Sequence, residues 1–286
     1  MRTSLSIIIV VIHFLISPIV LTAAIDTQII AYKKVGGTNE SLALKRYGPS
    51  GQAEGTTLPT AIFFFGGGWN GGNIGHFEPQ ARHLAERGMV AICAQYRTRS
   101  SHEVPPNVCL MDAKSAIRYV RQNAEDLGID PHRLAVGGGS AGGHLAAATT
   151  FCDGFNTVGE DTKISTRANA LLLFNPVIDN GVNGYGHERV REFWEDFSPL
   201  HNISSPPPTL FLLGDNDNLI PVGTGVAFQK AIEDAGGRCD LHIYPTGQHG
   251  FFNRGRPAGN GKEYYEDCVQ KMDDFLASLG FLTPVR

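Results

Sequence analysis

The sequence predicts an α/β fold with a mostly parallel central sheet flanked by helices on both faces. Three observations carry that expectation. Short runs that are apolar throughout, Ala61 to Phe65, Val90 to Ala94, Leu134 to Val136, Ala170 to Phe174, Leu210 to Leu213 and Leu241 to Tyr244, read as strands buried on both sides. Longer amphipathic stretches separate several of them, as right-handed crossovers between parallel strands require. Finally, Gly138-Gly139-Ser140-Ala141-Gly142 has the form G-x-S-x-G between one apolar run and a helix-forming stretch, Leu145 to Ala148. A serine on so sharp a strand-to-helix turn needs small neighbours, because strand and helix almost touch there.

In chain order, the run from Arg2 through Ile7–Ile12 and Val20-Leu21 to Thr22-Ala23-Ala24 reads as a secretory signal peptide over residues 1–24. A retained anchor is the alternative, but Ser17-Pro18 interrupts a stretch barely as long as the roughly 20 residues a bilayer needs. The mature chain, 25–286, is expected to form one domain, to be secreted or periplasmic, and to keep no stable membrane association. Gln28 to Lys34 and Leu42 to Tyr47 flank the turn cluster Gly36 to Asn39 and predict an antiparallel hairpin at the sheet edge. Helices are predicted near Glu78 to Arg87 and over Asn107 to Leu127, where Ala113, Ala116, Ile117, Val120, Ala124 and Leu127 share one face. Residues 176–208, polar and aromatic without clean periodicity, are the candidate small cap.

A net charge of -4 provides neither a nucleic-acid surface nor a polybasic membrane patch, which leaves a small or neutral molecule as the expected partner. Five cysteines without a C-x-x-C pair permit up to two disulfides and argue against a zinc or redox site. Cys93, inside a strand pattern, reads as a buried small hydrophobe.

A serine hydroxyl needs a base within hydrogen-bond reach and a third group to orient that base. Strand ends are where both should lie. His249 follows the last predicted strand between Gly247 and Gly250, whereas His144, one turn after Ser140, suits a structural role. Asp215 and Asp217 share the loop after Leu213, and spacing alone does not separate them. The other glycine cluster, Gly66-Gly67-Gly68, follows the first buried strand and offers backbone N–H groups. It also forms a literal G-x-G-x-x-G (Gly66, Gly68, Gly71), as do Gly137, Gly139 and Gly142, but neither is followed by the acidic residue a dinucleotide-binding unit places at the end of the next strand. No cofactor or metal is expected.

These residues resemble the α/β-hydrolases, in particular the acetyl-esterase and hormone-sensitive-lipase-like branch with its related polysaccharide-directed esterases. Phe65-Gly66-Gly67-Gly68-Trp69, Tyr96-Arg97, Asp112, Gly128-Ile129-Asp130-Pro131, Gly138 to His144, Asp217 to Pro221 and His249-Gly250-Phe251 carry the resemblance. It implies an α/β-hydrolase fold and a triad of Ser140, Asp217 and His249, the Gly-x-x-Asp-x-x-x-Pro match over Gly214 to Pro221 favouring Asp217. It also implies an oxyanion hole of the Gly67, Gly68 and Ala141 amides, and a bracing ion pair between Arg97 and Asp112. The sequence departs from the family at Phe65, where a histidine is usual, so the loop's hydrogen bonding is expected to differ.

The activity so implied is hydrolysis of short-chain, acetyl-type carboxylic esters, on a small-molecule or carbohydrate substrate such as an acetylated polysaccharide fragment. Trp69, Trp194 and Phe251 are candidates for a flat apolar wall, which would suit a feruloyl or lipid ester instead. A prolyl-oligopeptidase-type peptidase and a non-catalytic binding protein are the remaining alternatives.

Overall fold

A computed structural model describes residues 24–284. The leader expected over 1–24 therefore lies, apart from Ala24, outside the described residues. Among those described, no helix is long and apolar enough to cross a membrane.

The strands are β1 (Ile25–Lys34), β2 (Ser41–Pro49), β3 (Leu58–Phe64), β4 (Val90–Ala94), β5 (Ile129–Gly139), β6 (Ala170–Phe174), β7 (Thr209–Gly214) and β8 (Cys239–Tyr244). They form one sheet in the order β1-β2-β4-β3-β5-β6-β7-β8. The β1 and β2 pairings are antiparallel and all others parallel, so the N-terminal hairpin forms the expected sheet edge. On β1 most side chains are exposed or half-buried, and the exposed Asp26 and Lys34 keep this edge charged.

Alternation along the buried strands builds a core on each face. Ile62 and Phe64 point to one side with Leu171, Leu173, Phe211 and Leu213. Helices α3 (Pro106–Gln122), α4 (Ala141–Phe151) and α7 (Val222–Asp234) cover that side. Ala61 and Phe63 point to the other with Leu172, Leu210 and Leu212, under α1 (Glu78–Glu86) and α8 (Tyr265–Ser278). A fully buried Leu or Phe contributes about 1.5–3 kcal/mol, which is why runs apolar on both faces settle in the sheet interior. Shorter helices are α2 (Arg99–His102), α5 (His187–Val190) and α6 (Trp194–Phe197); the last two lie with a 3₁₀ turn, Pro199–His201, in the predicted cap segment.

Helix α3 starts where Pro106 can occupy a first-turn position at no hydrogen-bonding cost. It stops five residues before the predicted Leu127. Asn123 turns its Nδ2 back to the Tyr119 carbonyl (2.8 Å), and Gly128, at φ +63°, reverses the chain into β5. Leu127 remains buried in that turn, so its apolar spacing was genuine although its helix was not. All five cysteines are free and buried, so the two disulfides the composition permitted are not formed.

Strand order reverses at β3: β4 lies on one side of it and β5 on the other. This is the switch point of a doubly wound sheet, where a crevice opens beyond the strand C-termini. The Gly66–Gly68 loop leaves β3 and Ser140 follows β5, so the two glycine clusters become neighbours.

Candidate active site

Ser140 sits at φ 54°, ψ -121°, a conformation an L-residue keeps only when its surroundings enforce it, at a cost of about 1–3 kcal/mol. The enforcement comes from the backbone. Ser140 N–H donates to Phe174 O (3.1 Å), while Ser140 O accepts from His144 N (3.0 Å) and Val177 N (3.0 Å). A Cβ at Gly142 would fall against the carbonyl oxygens of Phe64 and Phe65, and one at Gly143 against Pro176. Those glycines, with Gly137 and Gly139 packed against Leu172 and Phe252, serve strand and elbow packing.

His249 reaches this serine from the loop after β8. Its Nε2 lies 2.9 Å from Ser140 Oγ, and its Nδ1 lies 2.8 Å from Asp217 Oδ2. Because a carboxylate only accepts, Nδ1 carries the proton and Nε2 is free to accept from the serine hydroxyl. The Asp217 side chain is fully buried. Its other oxygen accepts from Leu219 N (2.8 Å) and Ile220 N (3.0 Å), so it has no freedom to turn away. Asp215 faces elsewhere and accepts from Thr246 N (2.6 Å), joining the β7 and β8 loops. The ambiguity between the two acids is thus resolved in space, with Asp217 on the imidazole.

Asn175 was not visible as a site residue from sequence. Its Oδ1 accepts from Gly250 N (2.9 Å), next to His249, and its buried Nδ2 has no hydrogen-bond partner among the described residues. A lone asparagine after a strand gives no sequence signal; its backbone, at φ 35°, is what marks it.

The Gly66–Gly68 loop is held by side chains. Gly66 N–H donates to His76 Nδ1 (3.1 Å), and His76 Nε2 lies 3.0 Å from Asn253 Oδ1. Burial holds His76 below its ordinary pKa, despite the opposing hydrogen bond to Asn253, which favours the neutral ring this arrangement needs. Phe65, where a histidine was usual, stacks on Tyr96 at 4.0 Å between ring centres, and Tyr96 Oη donates to Phe65 O (2.7 Å). Arg189 Nη1, from the cap segment, donates to Gly68 O (2.6 Å). Gly67 and Gly68 have φ of 131° and 63°. Their N–H groups are not used by the loop's own hydrogen bonds. Ala141 is the first residue of α4, so its N–H also lacks an acceptor within the helix.

Ser140, His249, Gly67 and Gly68 line one open cavity of about 720 Å³. Tyr185 and Arg189 from the cap segment, Leu219, Phe252, Asn253 and Arg256 complete much of its wall.

The expected apolar wall needs correction. Trp69 is 1% exposed and packs against His144, Tyr185 and Phe197, because burying the apolar area of its ring outweighs leaving its Nε1 without a partner among the described residues. Phe251 is likewise interior, against Tyr244 and Tyr264; the next residue, Phe252, lines the cavity. Trp194 packs on His187 and His201 and is not part of the cavity wall around Ser140. His144 is buried with Nε2 3.0 Å from Phe197 O, and desolvation lowers its pKa to about 3, fitting the structural role anticipated for it. Arg97 and Asp112 do form the expected ion pair, bidentate at 2.7 and 2.8 Å, and Lys33 joins it at 2.7 Å. Among the described residues, no three His, Cys, Asp or Glu side chains converge as metal ligands would.

Comparison with known proteins agrees with this fold. The BD-FAE family model matches residues 47–181, and that of the dienelactone hydrolase family matches 177–280. The fold is similar to esterase 2 of Thermogutta terrifontis phosphoramylated by tabun, with a TM-score of 0.84 and 41% identity over 91% of this chain and 97% of that one. The propionate-bound form of the same esterase gives 0.83 and 41%, over 91% and 97%. An acetylxylan esterase of Xylanibacter ruminicola is 27% identical over 75% of this chain and 44% of its own. The probable carboxylic ester hydrolase LipM of Mycobacterium tuberculosis is 29% identical over 68% and 50%. The chain spans about half the length of these two curated relatives.

Proposed function

We propose that this chain, which belongs to the α/β-hydrolase esterases, hydrolyses short-acyl carboxylic esters through an acyl-serine intermediate. One observation carries the proposal: Asp217, His249 and Ser140 form an unbroken hydrogen-bonded series, 2.8 and 2.9 Å, at the mouth of a cavity.

In this mechanism His249 Nε2 takes the hydroxyl proton as Ser140 Oγ attacks the ester carbonyl. Asp217 holds the imidazole in the tautomer that can do this and stabilises the imidazolium that results. The N–H groups of Gly67, Gly68 and Ala141 receive the developing oxyanion, each such donor being worth about 3 kcal/mol of barrier. His249 then protonates the departing alcohol. Water, activated by the same imidazole, releases the acid and restores the serine.

Short acyl groups are favoured because the cavity is bounded by Gly66–Gly68, Phe252 and a cap segment holding only two four-residue helices. The Thermogutta terrifontis esterase 2, solved with propionate and with butyrate bound, supports the same preference. Export, supported by the apolar run between Arg2 and Asp26, makes acetylated polysaccharide fragments the substrate we favour, as the acetylxylan esterase relative also suggests. An exported product beginning near Ile25 by mass spectrometry checks that part.

Turnover of 4-nitrophenyl acetate by the wild type, its near-complete loss in Ser140→Ala, and stoichiometric fluorophosphonate labelling of Ser140 alone are the expected results. Removal of the nucleophile costs about 10⁶-fold where it has been measured in serine hydrolases. Wild-type turnover by Ser140→Ala would sink the mechanism, and activity confined to acyl chains of about eight carbons or more would sink the acyl preference.

A further inference from the structure

We propose that the alcohol part of the substrate carries a carboxylate, which docks on Arg256 in a cavity that Arg189 keeps positive. This inference rests on the esterase reading and adds the charge of the substrate to it.

The cavity wall contains two guanidinium groups and neither Asp nor Glu. The carboxylate of the triad is not on this wall: Asp217 lies behind His249, its oxygens turned to His249, Leu219 N and Ile220 N. Each arginine has one tether, and each tether is a carbonyl. Arg189 donates to Gly68 O and lies 5.1 Å from the ring centres of Trp69 and Tyr185. Arg256 donates to His249 O (3.1 Å). A neutral acceptor fixes a guanidinium in place without cancelling its charge, and five N–H donors per group leave most of them free.

The neighbours of these two residues show what a neutralised arginine looks like in this protein. Arg191, two positions from Arg189, pairs with Glu188, and Arg254, two positions from Arg256, lies 3.5 Å from Glu266. Among the described residues neither Arg189 nor Arg256 has a carboxylate within 4.0 Å. The chain as a whole is negative, at -4, so the positive wall is local to the site. Its field is felt at His76, where the charge of Arg256 adds to burial in disfavouring the protonated ring. Charges lining a cleft attract a ligand of opposite sign and orient it on entry.

Position assigns the carboxylate to the alcohol part. His249 protonates the leaving oxygen, so the alcohol departs on the His249 side, and Arg256 is tethered to the carbonyl of His249 itself. A uronic-acid unit or a hydroxy acid, esterified at a hydroxyl, has the required chemistry.

The test compares kcat/KM for 4-acetoxybenzoate and for the uncharged, near-isosteric 4-acetoxybenzamide, each divided by its rate of alkaline hydrolysis. The expected ratio is about fivefold in favour of the benzoate at low salt, the scale of an exposed ion pair. It should fall towards one in Arg256→Gln, persist in Arg256→Lys, and shrink in the wild type at 0.5 M NaCl as screening shortens the reach of charge. A wild-type ratio of one or less, or a ratio that survives Arg256→Gln, overturns the proposal; if Arg256→Gln fails to fold, the salt series and Arg256→Lys decide. Turnover of 4-nitrophenyl acetate separates the two readings. With it present, an absent benzoate preference refutes only the carboxylate, and with it absent the esterase reading itself has failed.

Discussion

Two glycine-rich turns meet at this site and are held in different ways. The elbow, Gly138 to Gly143, is fixed by backbone: Ser140 exchanges hydrogen bonds with Phe174, His144 and Val177, and there is no room for a side chain at Gly142 or Gly143. The loop Gly66 to Gly72 also has backbone bonds, from Asn70 N and Gly71 N to Gly67 O and from Arg99 N and Ser100 N to Trp69 O and Asn70 O, but side chains are added to them, namely His76 on Gly66 N, Tyr96 against Phe65 and Arg189 on Gly68 O. The nucleophile is therefore immobilised by backbone, while the position of the proposed oxyanion donors depends in addition on side chains that can be exchanged.

Breaking the elbow should produce the largest effect. A methyl group at Gly142 has to displace the carbonyls that end β3, and backbone that is packed on both sides yields little. Gly142→Ala should cost about 4 kcal/mol or more in urea unfolding, or leave no soluble protein. Gly223→Ala in α7, where the added carbon meets open space, should be neutral or stabilise by up to about 1 kcal/mol. Equal stability of Gly142→Ala and wild type would remove the basis for calling the elbow backbone-locked.

The acid loop combines the two modes, since Asp217 is fastened by Leu219 N and Ile220 N yet acts through its side chain. Asp217→Asn should lower kcat by about 10³–10⁴-fold, because an amide that donates to Nδ1 favours the wrong imidazole tautomer. Asp215→Asn can keep its Thr246 contact through the amide oxygen and should stay within about threefold of wild type, less than 1 kcal/mol of barrier. If the two losses were reversed in steady-state assays, Asp215 would be the acid.

The same contrast explains what was legible in the sequence. Parts specified by backbone geometry write themselves into composition: the buried strands, the edge hairpin and the glycines of the elbow were all readable. Ser140 and His249 were readable because each follows a strand. Asp217 needed the spacing of its whole loop. Contacts between distant side chains leave no such mark. Nothing about His76 signals that it holds Gly66, since the bond depends on how the loop after β3 turns back on itself, or about Asn175 that it holds Gly250, a bond that exists only after β6 and the last loop are brought together. Trp69 and Phe251 misled for the same reason, since adjacency to a site motif says nothing of which way a ring points. Helices α7 and α8 went unread, and α7 in particular begins with Gly223 and Gly225 in its first turn.

The smallest effect expected is also the one that sharpens the comparison most, because it loosens the side-chain-held loop without touching the elbow. His76→Phe keeps a ring in place but removes the acceptor of Gly66 N–H. An amide left without a partner costs about 1–3 kcal/mol if it stays buried, so the loop is expected to shift and take the Gly67 and Gly68 donors with it. We expect kcat to fall about tenfold, near 1.4 kcal/mol of barrier, with KM changed less than about twofold and fluorophosphonate labelling of Ser140 retained. His76→Gln, whose amide oxygen can accept the same bond, should recover part of the loss. Stability adds an independent readout. Burial lowers the pKa of His76 below its ordinary 6.5, so the folded state binds fewer protons there than the unfolded chain does. Its contribution is complete above about pH 6.5 and is lost as pH falls through the folded value. The stability difference between wild type and His76→Phe should therefore narrow on acidification below about pH 6.5, and a difference that widened would mean that the ring is held as a cation.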